Sequence, residues 1–238
     1  MRKTASGGTI VTVGNNPDLE KLMEQRFAIA TQNQLAEEQR INGTFTVADD
    51  TVFMVYRHKL FRWRFGEKAW HDTGLDLEDQ DEILPSGEKS FTLAASGNTV
   101  YAGKREGELF LSQDNGDTWR DVTANLAFPG YFREIQFTGS TVYILTEVGV
   151  MCSHDGKTWH DLTDVEGDMI LIDYIAVDGE TAYGVCDSGI YQADKQTNTW
   201  KQVIPELPHM ATSLAVDGNT FYIGTRQNGV YRFQRANR

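Results

Sequence analysis

The stretch Ser112-Gln113-Asp114-Asn115-Gly116-Asp117-Thr118-Trp119 decides the fold of this chain, because weakened copies of it follow at near-regular distances. Residues 153–159 repeat it as Ser-His-Asp-Gly-Lys-Thr-Trp, with one spacer deleted. Residues 194–200 keep the Asp and the final Thr-Trp, and residues 66–70 keep only a Gly and a Trp. A motif that returns about every 40 residues predicts a repeat fold.

A second phrase returns with the same period. Gly-Asn-Thr-Val-Tyr at 97–101 recurs in closely related form at 139–143, 179–183 and 218–222, and 50–53 is a shortened fifth copy. These two motifs keep a constant spacing from each other along the chain, and together they predict five structural repeats.

Each repeat has the pattern of a small antiparallel sheet. In residues 134–163, a segment rich in β-branched and aromatic residues at 141–146 lies between Gly-containing turns at 139–140, 149 and 155–156. Such turns are typical of hairpins. Four strands in a repeat of about 40 residues are typical of a propeller blade. The sequence therefore predicts an all-β, five-bladed β-propeller of four-stranded antiparallel blades.

The polar residues of the repeated phrase have an architectural explanation. An Asp accepts hydrogen bonds from backbone N–H groups inside its turn, a Gly reaches positive φ without strain, and the Trp buries its ring against the neighbouring blade. The phrase lacks the ligand pattern of a calcium loop. We therefore predict no catalytic residue, no metal ligand and no cofactor for the chain. We assign a structural role to the residues of the repeated phrase, which are Ser112, Asp114, Gly116, Thr118, Trp119, Ser153, Asp155, Gly156, Thr158, Trp159, Asp194, Thr199 and Trp200.

The phrase resembles the Asp box, also called the BNR repeat, of the sialidase-like β-propeller families. The resemblance covers residues 44–234; the motif is complete at 112–119 and nearly complete at 153–159. It implies that each Asp box lies on the turn between the third and fourth strands of a blade, on the face opposite the ligand site. It implies the fold more firmly than the function, and we interpret the chain as a non-catalytic member.

The repeats define a single propeller domain over residues 1–238, with blades at 44–73, 91–122, 133–163, 171–203 and 211–234. The last blade has three strands, and we expect residues 8–13 to pair with 230–233 as the fourth strand and so close the ring. The alternative is a fragment of a larger ring. Residues 17–40 have helical spacing behind a good N-cap at Asn16. This helix packs on the propeller, serves docking or oligomerisation, or is the remnant of an upstream domain.

The charge, the N-terminal residues and the cysteines of the chain restrict its partners and its location in the cell. The formal net charge of −12 and the pI near 4.8 disfavour nucleic acid and anionic membranes as partners. The N-terminus lacks the apolar core of a secretory signal, so the cytoplasm is the default and export is the alternative for a trimmed chain. Cys152 and Cys186 are expected to be buried free thiols, and we expect a monomer.

The ligand face of a propeller is built from the links between blades and from the turns between second and third strands. Four arginines are expected near this mouth, where they either bind a carboxylate or phosphate or form surface pairs with Glu106, Glu147 and Asp187. The candidate ligand residues are Arg57, Arg105, Arg133, Arg226, Tyr131 and Phe132. Tyr131 and Phe132 belong to an aromatic Pro-Gly loop that contacts either the helix or an external ligand. The acidic link at 76–82 is either a solvated loop or a site for a cation or basic partner.

Three functions are compatible with these residues. The favoured one is a non-enzymatic scaffold that presents loops to a protein or small ligand. The second is a sialidase-like glycoside hydrolase. The resemblance implies that such an enzyme needs an arginine cluster for the sugar carboxylate, a Tyr nucleophile with a Glu partner and an acidic proton donor. The family's early Phe/Tyr-Arg-Ile-Pro phrase is absent, and residues 132–135 lack its Pro. The third is a sensor or regulatory propeller domain cut from a larger protein.

Overall fold

Five antiparallel sheets follow one another along the chain. A computed structural model of the 238-residue protein describes residues 45–56, 59–76, 91–104, 107–128 and 130–235. Within these residues the only helical element is one 3-10 turn, Thr123–Asn125. All of them belong to one unit, Asn42–Arg238. The all-β class and the five sheets of three or four strands agree with the prediction from the repeats.

The strands are short because a turn interrupts them every few residues. Sheet one contains β1 Phe45–Ala48, β2 Thr51–Tyr56, β3 Lys59–Arg64 and β4 His71–Asp76. Sheet two contains β5 Thr92–Ser96, β6 Thr99–Gly103, β7 Leu109–Ser112 and β8 Arg120–Asp121. Sheet three contains β9 Phe132–Thr138, β10 Thr141–Thr146, β11 Val150–Ser153 and β12 His160–Leu162. Sheet four contains β13 Tyr174–Asp178, β14 Thr181–Cys186, β15 Gly189–Asp194 and β16 Thr199–Pro205, and sheet five contains β17 Ala211–Asp217, β18 Thr220–Thr225 and β19 Val230–Gln234.

Each sheet is a simple meander whose neighbouring strands are also neighbours in the chain. The first strand of every sheet contacts the first strand of the next one, from β1 through β5, β9 and β13 to β17. Four apolar cores fill the spaces between successive sheets. Side chains on a strand alternate between its two faces, so each of the three middle sheets packs one face on the sheet before it and the other on the sheet after it.

The repeated Thr-Val-Tyr phrase shows this alternation directly. Val100 belongs to the core between sheets one and two, whereas Tyr101 belongs to the core between sheets two and three. Val142 and Tyr143 are divided in the same way between the two cores that flank sheet three. One dipeptide per repeat therefore helps to hold a sheet to both of its neighbours.

Sheet five differs from the others in its outer face. The aromatic side chain that faces the next sheet is at most 7% exposed in sheets one to four, and its counterpart Tyr222 is 37% exposed. Val230 and Arg232, on the same face, are also exposed. Among the described strands, none pairs with the free edge of β19. The expected closing strand at 8–13 and the expected helix at 17–40 lie outside the described residues.

Candidate functional site

In each sheet, the connections between strands lie at the two opposite ends of the strands. Turns between first and second strands and between third and fourth strands fall at one edge, which we call the Asp-box edge. Turns between second and third strands, together with the links to the next sheet, fall at the opposite edge, which we call the loop edge. This follows from the antiparallel strand order alone. The loop edge brings together segments that are far apart in sequence, so a candidate site is sought there.

Four exposed apolar side chains lie on the loop edge, in the turn between β10 and β11 and in the two links that flank sheet three. They are Tyr131, Val148, Met169 and Leu171, with exposures of 55, 42, 40 and 65%. We call these four residues the apolar patch. They come from the link between sheets two and three, from the turn itself and from the link between sheets three and four. Exposed apolar groups of this kind commonly mark an interaction surface.

The turn beneath the patch is held by Thr146. Its buried hydroxyl accepts hydrogen bonds from the backbone N–H groups of Val148 and Gly149, each at 3.2 Å, and donates one to the Gly149 carbonyl at 3.0 Å. The Thr146 N–H bonds the same carbonyl at 2.9 Å. This closed turn presents the Val148 side chain to solvent on a fixed backbone.

Gly149 has an ordinary φ angle, and its lack of a side chain leaves room for the end of the Met169 side chain. A Cβ atom at this position would lie 2.3 Å from Cε of Met169 and 3.8 Å from the ring of Phe128. The missing side chain lets Met169 rest directly on the turn, beside Val148. The link to sheet four is thereby joined to sheet three, and two members of the patch become neighbours.

Glu147 joins the link from sheet two to the same turn. Its Oε2 atom accepts a hydrogen bond of 2.5 Å from the backbone N–H of Tyr131. Gly130 approaches the turn so closely that a Cβ there would lie 3.2 Å from Cβ of Thr146. Tyr131 is therefore anchored through its backbone, which leaves its ring exposed.

Phe132 has a different environment from that of Tyr131. It is only 5% exposed, and its ring lies against Gly103, where an added Cβ would come within 2.5 Å. Tyr131 is thus at the surface and Phe132 is in the core. This is expected at the start of a strand, where successive side chains point to opposite faces.

A closed acidic loop follows β12. The Oδ1 atom of Asp164 accepts hydrogen bonds from the N–H groups of Glu166 and Asp168 at 3.0 and 2.8 Å. The Asp164 N–H returns one to the Asp168 carbonyl at 2.8 Å. The side chains of Glu166 and Asp168 are exposed, and the loop ends directly before Met169.

The structure places two of the four candidate arginines. Arg133 donates a hydrogen bond of 2.9 Å to the Asp173 carbonyl, and its guanidinium lies 5.9 Å from the centre of the Tyr174 ring. Arg226 lies on sheet five, exposed in the turn between β18 and β19. Arg57 and Arg105 lie outside the described residues, as does most of the acidic link at 76–82. A ring of four guanidiniums therefore stays a prediction.

Glu134, on β9 of sheet three, is a half-buried carboxyl group. Burial raises the pKa of its carboxyl group. The amide of Gln136 donates hydrogen bonds to this carboxyl and to the Ile175 carbonyl, the latter at 3.3 Å. This arrangement links β9 of sheet three to β13 of sheet four. Within the described ranges, no three His, Cys, Asp or Glu side chains are grouped as metal ligands.

At the Asp-box edge, the aspartates accept hydrogen bonds within their own turns. Asp114 accepts the Thr118 hydroxyl at 2.6 Å and the Thr118 N–H at 2.9 Å. Asp155 accepts the N–H groups of Lys157 and Thr158 at 2.8 and 2.7 Å. These bonds lower the pKa of both carboxyl groups to about 2. Asp194 accepts the Gln196 N–H at 2.8 Å in the third copy.

The two thiols are free and buried. Burial raises the pKa of Cys152 to about 12. Its Sγ atom lies 3.4 Å from Oδ1 of Asn198 in the next sheet, and Cys186 lies 3.1 Å from the Ser188 hydroxyl. Both thiols therefore behave as small packing groups.

Comparison with known proteins identifies the fold. The sequence matches no protein-family model and no curated protein. The structure is similar to YCF48 bound to D1 peptide, with 15% identity, a TM-score of 0.54, and coverage of 82% of this chain and 64% of that chain. It is similar to the extracellular domain of BT4673 from B. thetaiotaomicron, with 15% identity, a TM-score of 0.58, and coverage of 84% and 28%. It is also similar to an ancestral GH74 enzyme, with 18% identity, a TM-score of 0.53, and coverage of 79% and 30%.

All three of these structures are β-propellers. At such low identity the likeness establishes the fold alone, and the five sheets described here have the arrangement of propeller blades. The chain spans less than two thirds of the length of each of the three. A search of the described residues found no helix with the length and hydropathy needed to cross a membrane.

Sequence reasoning identified Tyr131 and Arg133 on the loop edge but missed Val148, Met169 and Leu171. A signal was present: Val148 stands beside a turn glycine, and Met169 begins an apolar run in a link that is otherwise acidic. The convergence of these residues depends on the contact between Met169 and Gly149, which no local pattern reveals.

Proposed function

We propose that this chain is a non-enzymatic β-propeller binding module whose apolar patch holds a segment of another protein. The observation that carries the proposal is the group of four exposed apolar side chains on a hydrogen-bonded turn at the loop edge. Solvent-exposed Val, Met, Leu and Tyr side chains gain free energy when a partner covers them, about 25 cal/mol for each Å² of apolar surface removed from water. Their backbone is already ordered, which lowers the entropic cost of binding.

The types of residue in the patch favour a polypeptide partner. Tyrosine supplies a large contact area at low entropic cost, and methionine adapts its flexible thioether to different side chains. YCF48, which has the same fold, has been solved with a bound peptide. That structure shows that a propeller can accommodate such a ligand.

The proposal is tested by selecting binders for the intact chain from a random 12-residue peptide library displayed on phage. Peptides that bind the chain are then measured against the variant Val148→Ser/Met169→Ser/Leu171→Ser. We expect this variant to lose at least about tenfold in affinity, since it removes most of the apolar contact. The control Phe65→Ser/Val230→Ser replaces exposed apolar residues elsewhere on the sheets and should bind as the original chain does. Equal binding by all three proteins contradicts the proposal.

The non-enzymatic part of the proposal has its own test. We expect no hydrolysis of a fluorogenic sialoside above that of a heat-denatured sample. Turnover that disappears in the variant Arg133→Ala would instead favour the sialidase-like alternative, because that family uses guanidiniums to hold the sugar carboxylate.

We also propose that the five blades close into one ring, with residues 8–13 as the fourth strand of sheet five. The proposal is supported by the three-stranded sheet five and by the free edge of β19 in the described structure. Deletion of residues 1–14 should expose this edge and promote aggregation, whereas deletion of residues 1–7 should not. A protein without residues 1–14 that remains monomeric and equally stable refutes ring closure by this segment.

A further inference from the structure

We propose that the segment held by the apolar patch is basic, with Lys or Arg residues flanking its apolar anchor residues. This inference rests on the proposed function and adds the chemistry of the partner. Its basis is the distribution of charge at the loop edge, in relation to the four apolar side chains.

Carboxylates dominate the described part of the loop edge. The described acidic residues in its turns and links are Glu108, Glu147, Asp164, Glu166, Asp168, Asp173, Asp187 and Glu206, and the described Lys and Arg residues are Lys104, Arg226 and, at the start of β9, Arg133. Arg133 is already engaged by the Asp173 carbonyl and the Tyr174 ring. Acidic side chains therefore outnumber basic ones among the described residues of the loop edge, in keeping with the net charge of −12 for the chain.

The acidic groups nearest to the patch are positioned by the fold. Glu147 directly precedes Val148, and one of its oxygens is held by the Tyr131 N–H. Glu166 and Asp168 stand on the closed loop that leads into Met169. Among the described residues, no cation forms an ion pair with these three carboxylates. Each of them is available to a cation from a partner.

A partner that covers the patch brings its flanks to within a few ångströms of these carboxylates. Lysine and arginine on those flanks would gain favourable interactions, and acidic flanks would be repelled. At physiological ionic strength the screening length is about 8 Å, so the discrimination acts only on groups that adjoin the patch. Apolar anchors thus supply affinity, and the charges of the flanks select the partner.

The peptide library described above tests the inference through the composition of the selected sequences. We expect enriched peptides to combine apolar residues with an excess of about two or more basic over acidic residues, relative to the unselected library. If the selected peptides bind through the patch but are neutral or acidic, the proposal of a basic partner is wrong, and the proposal of a binding module still stands. A library that yields no patch-dependent peptide overturns the binding module itself.

A charge variant provides a second, quantitative test with a selected basic peptide. Glu166→Gln/Asp168→Asn removes two exposed carboxylates whose side chains make no hydrogen bond to a described residue, and should weaken binding about fivefold at 0.15 M salt. The control Glu180→Gln/Asp217→Asn removes two exposed carboxylates at the Asp-box edge and should change the affinity less than about twofold. Equal losses in the two variants, or none in the first, would show that the partner is not selected by charge at this site.

Discussion

The rings of Tyr101 and Trp159 meet at right angles across the boundary between sheets two and three. Their centroids are 6.0 Å apart and their planes are inclined at 85°. The equivalent pair one boundary earlier, Phe53 and Trp119, has a separation of 6.3 Å and an angle of 87°. In the copies of the phrase at 112–119 and 153–159, the final tryptophan therefore packs on the aromatic residue of the preceding blade. The tryptophan of the hairpin motif therefore stabilises the contact between two blades.

This relationship predicts a large loss of stability when the indole is removed. Trp159→Ala should lower the free energy of unfolding by about 3–5 kcal/mol, since it empties a site between two sheets. Denaturant titration measures the change, and Leu171→Ala, which truncates an exposed side chain, should stay within about 0.5 kcal/mol. An unchanged transition midpoint for Trp159→Ala would show that the contact between Trp159 and Tyr101 does not stabilise the fold.

The repeats supply a matched pair of tyrosines for a second prediction. Tyr143 is 1% exposed and Tyr222 is 37% exposed at the equivalent position of sheet five. Tyr143→Ala should cost about 3–5 kcal/mol. If the ring closes as proposed, Tyr222 is covered in solution and Tyr222→Ala should cost a similar amount. A loss of about 1 kcal/mol or less for Tyr222→Ala would mean that the outer face of sheet five stays exposed and would contradict ring closure.

A third prediction concerns acid stability. Hydrogen bonds from Thr118 lower the pKa of Asp114 to about 2, so ionised Asp114 stabilises the folded state. That contribution is complete above the ordinary carboxyl pKa near 3.9 and is lost as the pH falls through about 2. Asp114→Asn should therefore lower the melting temperature at pH 7, by roughly 3 °C. The difference from the unmodified chain should shrink steadily when melting is followed at pH 4, 3 and 2; a constant difference contradicts the argument.

A fourth prediction tests the contact between Arg64 and Asp117. The Arg64 guanidinium bonds the Asp117 carboxylate at 2.7 Å and the backbone carbonyls of Asp114 and Asn115 at 3.2 and 3.3 Å, which ties sheet one to the Asp box of sheet two. A double-mutant cycle with Arg64→Met and Asp117→Asn should give a coupling of about 1 kcal/mol, typical of a half-exposed pair. Repeating the cycle in 1 M NaCl should reduce the coupling. A coupling of zero at low salt would make this contact incidental to stability.

The all-β class and the five sheets were predictable because their signals are local. Gly139 and Asp155 each define a turn through their own backbone preferences, and the period of the Thr-Val-Tyr phrase counts the sheets without any knowledge of their packing. The apolar patch was not predictable in the same way. Met169 packs on the turn at Gly149, and the Tyr131 N–H bonds the carboxylate of Glu147 in the same turn, so both contacts join residues that are distant in the sequence.

The sequence by itself determined the repeat, the strand order within each repeat and the hydrogen-bonding role open to the Asp of each box, since these depend on neighbours within a few residues. Only the tertiary structure decided which side chains of separate links share a surface, and which face of sheet five is left exposed. Those outcomes depend on the burial of one sheet by the next. Burial is a property of the assembled sheets, and strand propensity or turn chemistry in a single segment carries no information about it.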